Sequence, residues 1–101
     1  MAEEAVVDVV RNEAEGRFEA TVDGVLAYLT YQLREGTLYL LHTEVPHELE
    51  GRGLGSRIVR AALDHARAAG LRVVAHCPFA KAYLYRRKEY QDLLGPEEEE
   101  E

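Results

Sequence analysis

The sequence predicts one small α/β (α+β) domain with a mixed, mostly antiparallel sheet and the element order β-β-β-α-β-α. Three observations predict it. Two tight-turn dipeptides, Asp23-Gly24 and Glu35-Gly36, separate runs rich in β-forming residues. After the glycine segment Gly51-Arg52-Gly53-Leu54-Gly55-Ser56, the apolar period changes from about two residues to about 3.6. Behind that helical stretch lies a short apolar run, Leu71 to His76, of strand length.

Taken in order, residues 6–22 alternate imperfectly and settle into Phe18-Glu19-Ala20-Thr21-Val22. Asp23-Gly24 follows, a pair suited to the positive φ angles of a two-residue hairpin. The returning strand runs from Val25 to Leu33, and Glu35-Gly36 marks the next turn. A third strand, Thr37 to Val45, stops at Pro46, which has no N–H to continue a ladder. The helix begins near Gly53, with Leu54, Ile58, Ala61, Ala62, His65 and Ala69 near one face. Arg57, Arg60, Asp64 and Arg67 fall largely on the other, and Gly70 is the expected C-terminal cap. Leu71 to His76 reads as the fourth strand, and Pro78 opens a second helix through Tyr85. A strand-helix-strand unit sets its two strands parallel, so the third and fourth strands are the expected parallel pair.

At 101 residues the chain is long enough for one core and too short for two, and residues 1–95 are expected to form that single domain. Of the net charge of −7, five units sit in the glutamates at 97–101, behind the breaker Gly95-Pro96. Residues 96–101 are therefore expected to be a disordered acidic tail on a nearly neutral body. The basic residues, mostly Arg and spread along the helical regions, argue against a nucleic-acid surface. The single Cys excludes an internal disulfide. There is no signal-peptide pattern and no membrane-spanning apolar run, so the expected location is the cytoplasm, with no membrane partner. No Cys or His cluster has metal-ligand spacing, so no metal is expected.

The glycine segment carries the first chemical signal. A helix N-terminus presents free N–H groups and a partial positive charge, and glycines let an anion approach the backbone closely. Gly51, Gly53 and Gly55, with Arg52 and Ser56 as further donors, fit a diphosphate cradle placed after a strand. The segment lacks the Lys-Ser/Thr ending of a nucleotide P-loop and the Gly-x-Gly-x-x-Gly spacing of a dinucleotide site, which disfavours ATP and NAD.

Val45-Pro46, a short polar stretch, and then Glu50-Gly51-Arg52-Gly53-Leu54-Gly55-Ser56 before an amphipathic helix resemble motif A of the GNAT N-acetyltransferases, whose pattern is Gln/Arg-x-x-Gly-x-Gly/Ala. The resemblance spans about residues 17–94 and is strongest to the short, single-domain branch, which His76-Cys77-Pro78-Phe79-Ala80 followed by Tyr83 also resembles. It implies a minimal GNAT-like fold and an acetyl-coenzyme A-dependent N-acetyltransferase, monomeric or homodimeric. The acceptor would be an amine on a protein, a peptide or a small molecule. The resemblance also implies that the amides of Gly51, Arg52, Gly53, Leu54, Gly55 and Ser56 bind the diphosphate of coenzyme A and that the Val45 amide polarises the thioester carbonyl. Glu50 departs from the pattern: a carboxylate there repels a phosphate unless it turns outward, leaving Arg52 and the amides to bind. The alternative function is a non-catalytic coenzyme A-binding or protein-interaction module.

Acetyl transfer requires a deprotonated amine, a polarised carbonyl and a proton for the departing thiolate. Glu44, closing the third strand beside the glycine loop, is the first candidate base. His42 is the second, two residues earlier and so on the same strand face, with an imidazole that ordinarily titrates near neutrality. Cys77 could instead attack the thioester and form an acyl-enzyme, although its neighbour His76 should face the other side of the strand. Tyr83, ahead of Tyr85, is the residue the resemblance assigns to protonating the thiolate. Lys81, Arg86, Arg87 and Lys88 form a basic end suited to the 3′-phosphate of coenzyme A or simply to solvent.

Overall fold

The computed structural model describes residues 8–95; the expected tail at 96–101 lies outside the described residues. Five strands form one sheet in sequence order: β1 (Val10–Asn12), β2 (Arg17–Val22), β3 (Val25–Arg34), β4 (Thr37–Glu44) and β5 (Arg72–Ala75). Between β4 and β5 runs helix α1 (Leu54–Ala69), and α2 (Pro78–Arg86) follows β5. Short 3₁₀ turns at His47–Leu49 and Lys88–Leu93 complete the order. The strands through β4 pair antiparallel and β4 pairs parallel with β5, as the sequence predicts.

Both dipeptide turns form as expected, with positive φ at Asp23 (53°), Gly24 (80°), Glu35 (50°) and Gly36 (81°). One strand is additional. Residues 10–22 divide at a turn over Glu13–Gly16, so β1 folds back on β2. The Asn12 side-chain oxygen accepts from the Glu15 N–H at 3.1 Å, and Gly16 takes a φ of 69°.

Cross-strand partners share a face, and this sorts the side chains. Phe18, Ala20, Ala27, Leu29, Leu38, Leu40, Val73 and Ala75 face the helices and are buried. The opposite face is polar and aromatic: Arg17, Glu19, Tyr28, Thr30, Tyr39, His42 and Glu44 share it by register. On it the Arg17 guanidinium sits 4.9 Å above the Tyr28 ring and pairs with Glu19 at 2.7 Å.

The buried stripe of α1 runs through Leu54, Ile58, Val59, Ala62, Leu63 and Ala66, rotated from the expected line through Ala61, His65 and Ala69. The bulkier Val59 and Leu63 turn inward, since fully burying each such side chain contributes about 1.5–3 kcal/mol and an alanine contributes far less. Gly70 ends the helix at φ 72° with its N–H on the carbonyls of Ala66 and Arg67. The turn at Lys88–Leu93 is tied to α1 by the paired Arg67–Asp92 bonds of 3.0 and 3.1 Å and by the Tyr90 hydroxyl donating to Asp64 at 2.7 Å. Among the described residues no helix is long and apolar enough to cross a membrane.

Candidate active site

The site forms where β4 parts from β5. Their pairing ends at Leu40 and Ala75, while β4 continues to Glu44, and the Leu40 carbonyl accepts from both His76 (2.8 Å) and Cys77 (3.2 Å). The β3–β4 register slips at the same level: Thr30 faces His42 but Tyr31 faces Leu40, so Leu41 is an extra, bulged residue. The bulge reverses the alternation of β4. Leu38 and Leu40 point into the core before it, and after it Thr43, opposite the buried Leu29, points to the helix side.

The last residues of β4 therefore serve two faces. His42 and Glu44 meet on the open face, Nε2 to Oε1 at 3.2 Å, with side chains 60% and 50% exposed. On the helix side the Thr43 hydroxyl lies 3.2 Å from the Cys77 sulfur. Cys77 is buried and stands at the N-cap of α2, where Pro78 starts the helix. Burial pushes its thiol up. The Thr43 hydroxyl and the N–H groups of Ala80, Phe79 and Thr43 favour the thiolate more strongly, and the balance falls below the ordinary thiol value. His76 takes no part: it stacks on Tyr39 with ring centroids 5.9 Å apart.

Beyond Glu44 the chain enters a cleft of about 250 Å³. One wall is the glycine loop and first turn of α1, from Gly51 through Gly53 to Ser56; Val45, Leu49 and Phe79 form the other. Gly51 (φ 84°) and Gly53 (φ 74°) are left-handed, and a Cβ at either would meet nothing within 4 Å, so both are needed for backbone direction. Arg52 between them is not left-handed, and alternating backbone of this kind is the pattern from which anion-binding nests of amides are built. The first turn of α1 has no capping side chain and no acidic residue, so its amides and partial charge remain available to an anion. Gly55 differs, being helical and buried: a Cβ there would stand 2.9 Å from Phe79 Cζ. Glu50 lines the cleft, and its carboxylate is 3.4 Å from His47 Nδ1, on an exposed pair.

Of the expected site residues, the structure thus gathers Val45, Gly51, Gly53, Leu54, Gly55 and Ser56 around the cleft, with Arg52 in the exposed loop between the glycines. Glu44 and Cys77 lie on opposite sides of β4. Tyr83 is 2% exposed, tilted against Tyr90 and 5.1 Å beneath the Arg87 guanidinium, with no hydrogen bond to Cys77 or Glu44 among the described residues. Tyr85 is 67% exposed. Two contributors had no role from sequence: Thr43, whose partner is 34 residues away, and Phe79, an apolar ring left 41% exposed at the cleft. Among the described residues no group of His, Cys, Asp or Glu could hold a metal ion.

Residues 17–93 match the family model of the GCN5-related N-acetyltransferases. The chain belongs to this family. The solution structure of a GCN5-like protein from Staphylococcus aureus superimposes on this N-acetyltransferase with a TM-score of 0.70 at 32% identity, covering 90% of each chain. The family accounts for the mixed sheet and for the segment between the parallel strands, where the uncapped turn of α1 lies.

Proposed function

We propose that this protein transfers an acetyl group from acetyl-coenzyme A directly to an amine, with Glu44 as the base. The observation that carries this reading is the uncapped first turn of α1 behind two left-handed glycines, facing a cleft that begins at the end of β4. Coenzyme A supplies the thioester. The amides of Leu54, Gly55 and Ser56 hold its diphosphate, with Arg52 adding positive charge in place of the motif residue that Glu50 replaces. Engagement of Glu50 by His47 supports this division, because it draws the carboxylate onto a partner other than the phosphate.

At the reacting end, the Val45 amide polarises the thioester carbonyl. Glu44 accepts the proton that the incoming ammonium must lose, and His42, 3.2 Å away, steadies the carboxylate or passes the proton to water. The amine nitrogen then bonds to the carbonyl carbon, the carbon–sulfur bond breaks, and the departing thiolate takes up, through water, the second proton that the nitrogen sheds in becoming an amide. Both Glu44 and His42 lie on the face without helices, so the acceptor reaches them from solvent. Cys77 lies across β4 from Glu44 with its sulfur engaged by Thr43, which supports direct transfer over an acyl-enzyme. The burial of Tyr83 against Tyr90 supports a packing role for it. The single free, buried thiol fits a reducing compartment, and we assign the protein to the cytoplasm on that ground.

The test is calorimetric titration with acetyl-coenzyme A, followed by thiol release across a panel of peptide and small amines and intact mass of the protein. Binding, thiol release and an unmodified Cys77 are expected. Absence of binding would remove the reading, binding without release would leave a coenzyme A-binding module, and an acetyl group on Cys77 would replace direct transfer by the acyl-enzyme route.

A further inference from the structure

We infer that Phe79, seated on Gly55, is the wall of the cleft that grips the apolar pantetheine arm of the ligand, and that the two residues set the width of the cleft as a matched pair. The inference rests on the reading that the cleft takes coenzyme A. The ring is out of place for a structural residue: α2 buries Ala80, Tyr83 and Leu84, whereas Phe79 is 41% exposed and turned to the cleft. It leans on the first turn of α1 at the only helical glycine of the loop, where Cβ would stand 2.9 Å from Cζ and 3.0 Å from Cε2. Gly55 is therefore glycine to admit the ring, in contrast to Gly51 and Gly53, which are glycine for their φ angles. Phe79 also lies in the cleft that joins the first turn of α1 to the end of β4. That first turn is uncapped, and Cys77, two residues before Phe79 in the chain, lies against Thr43. A ligand anchored by phosphate at the amides and reaching toward the end of β4 must pass the ring, and the part that passes gains from apolar contact.

The test separates the two halves of the ligand by calorimetry, using coenzyme A and 3′-phospho-ADP, which carries the nucleotide and diphosphate but no pantetheine. Phe79→Ala should weaken coenzyme A about tenfold, the burial of part of a phenyl ring, and change 3′-phospho-ADP less than about twofold. Gly55→Ala retains the amide, so loss of coenzyme A affinity in this variant reports displacement of the ring. Adding it to Phe79→Ala should then cost nothing further, because the clash is gone. Equal losses for both probes in Phe79→Ala, unchanged coenzyme A affinity in it, or additive losses in the double variant would each overturn the inference. A wild-type protein that binds neither probe would instead overturn the coenzyme A reading on which it rests.

Discussion

Replacing Gly53 by Ala tests whether the bend of the glycine loop, and not its mere looseness, makes the anion site. Gly53 sits at φ 74° and ψ 17° as the N-cap of α1, and a Cβ there would meet nothing within 4 Å. Steric contact is therefore absent and only backbone strain remains, about 1–2 kcal/mol for a non-glycine residue in the left-handed region. The hairpin glycine Gly36 offers a matched control: φ 81°, open surroundings, and a position in the turn between β3 and β4, away from the cleft. Gly36→Ala can relieve nothing by moving a ligand site, so it should lose stability alone, roughly 4–8 °C of melting temperature per kcal/mol in a domain of this size. Gly53→Ala has a second way out. The loop can relax to negative φ, which recovers stability but turns the amides away from their common focus, so the strain reappears as weaker coenzyme A binding, by about 5- to 30-fold. Thermal melts and calorimetric titration of both variants read the two terms. Coenzyme A binding at wild-type strength in Gly53→Ala, with a melting loss equal to that of Gly36→Ala, would refute the assignment of the anion site to this loop.

Glu44→Gln should lower kcat by about 10²–10⁴ with little change in the KM for acetyl-coenzyme A, measured by thiol release, because the carboxylate faces the acceptor side and does not line the cleft. Thr43→Val removes a hydroxyl that favours the Cys77 thiolate, so the pH profile of thiol alkylation should move to higher pH, while Thr43→Ser keeps the wild-type profile. Burial and then the bond to Asp64 push the Tyr90 phenol up to about 12. The fold thus favours the protonated phenol, and its contribution, complete below the ordinary phenol value of about 10, is lost as pH rises toward 12. Tyr90→Phe should cost about 2 kcal/mol near neutrality and flatten the fall in stability across that alkaline window, measured by denaturant unfolding.

Features encoded by neighbouring residues were legible in the sequence. Asp23-Gly24 and the glycine of Glu35-Gly36 specify their turns through their own φ preferences, Pro46 and Gly70 end their elements alone, and the uncapped start of α1 follows from Gly53 standing where Ser or Asp would cap. The turn at Glu13–Gly16 is bracketed by the turn-formers Asn12 and Gly16, but the three helix-compatible residues Glu-Ala-Glu between them and the imperfect alternation on either side mask it in the sequence. The inward line of α1 was misplaced by one position on the wheel, since alanines fit either face and only packing against the sheet selects Val59 and Leu63. The glycines at 51, 53 and 55 look alike in sequence, yet the structure uses the first two for backbone direction and the third for space beneath Phe79. That difference depends on a residue 24 positions away, which no local pattern encodes.

The bulge at Leu41 accounts for the arrangement of the candidate catalytic groups. Were Leu41 paired in the ladder instead of bulged, the strict alternation from Leu38 and Leu40 would carry His42 and Glu44 into the core and leave Thr43 on the open face. Two buried polar side chains would then need partners, and unpaired ones cost several kcal/mol. Bulging Leu41 out of the ladder puts the His42–Glu44 pair in reach of solvent and turns Thr43 onto the Cys77 sulfur. The candidate base Glu44 and the Cys77 thiol thus stand on opposite sides of β4. Deleting Leu41 should therefore leave both faces in place, because Leu40 then joins His42 in a regular ladder with Tyr31 and Thr30 still opposite them, and Leu41→Ala, which removes only a 40% exposed side chain, should likewise stay near wild type; loss of the fold in the deletion variant would refute the reading of Leu41 as the inserted residue.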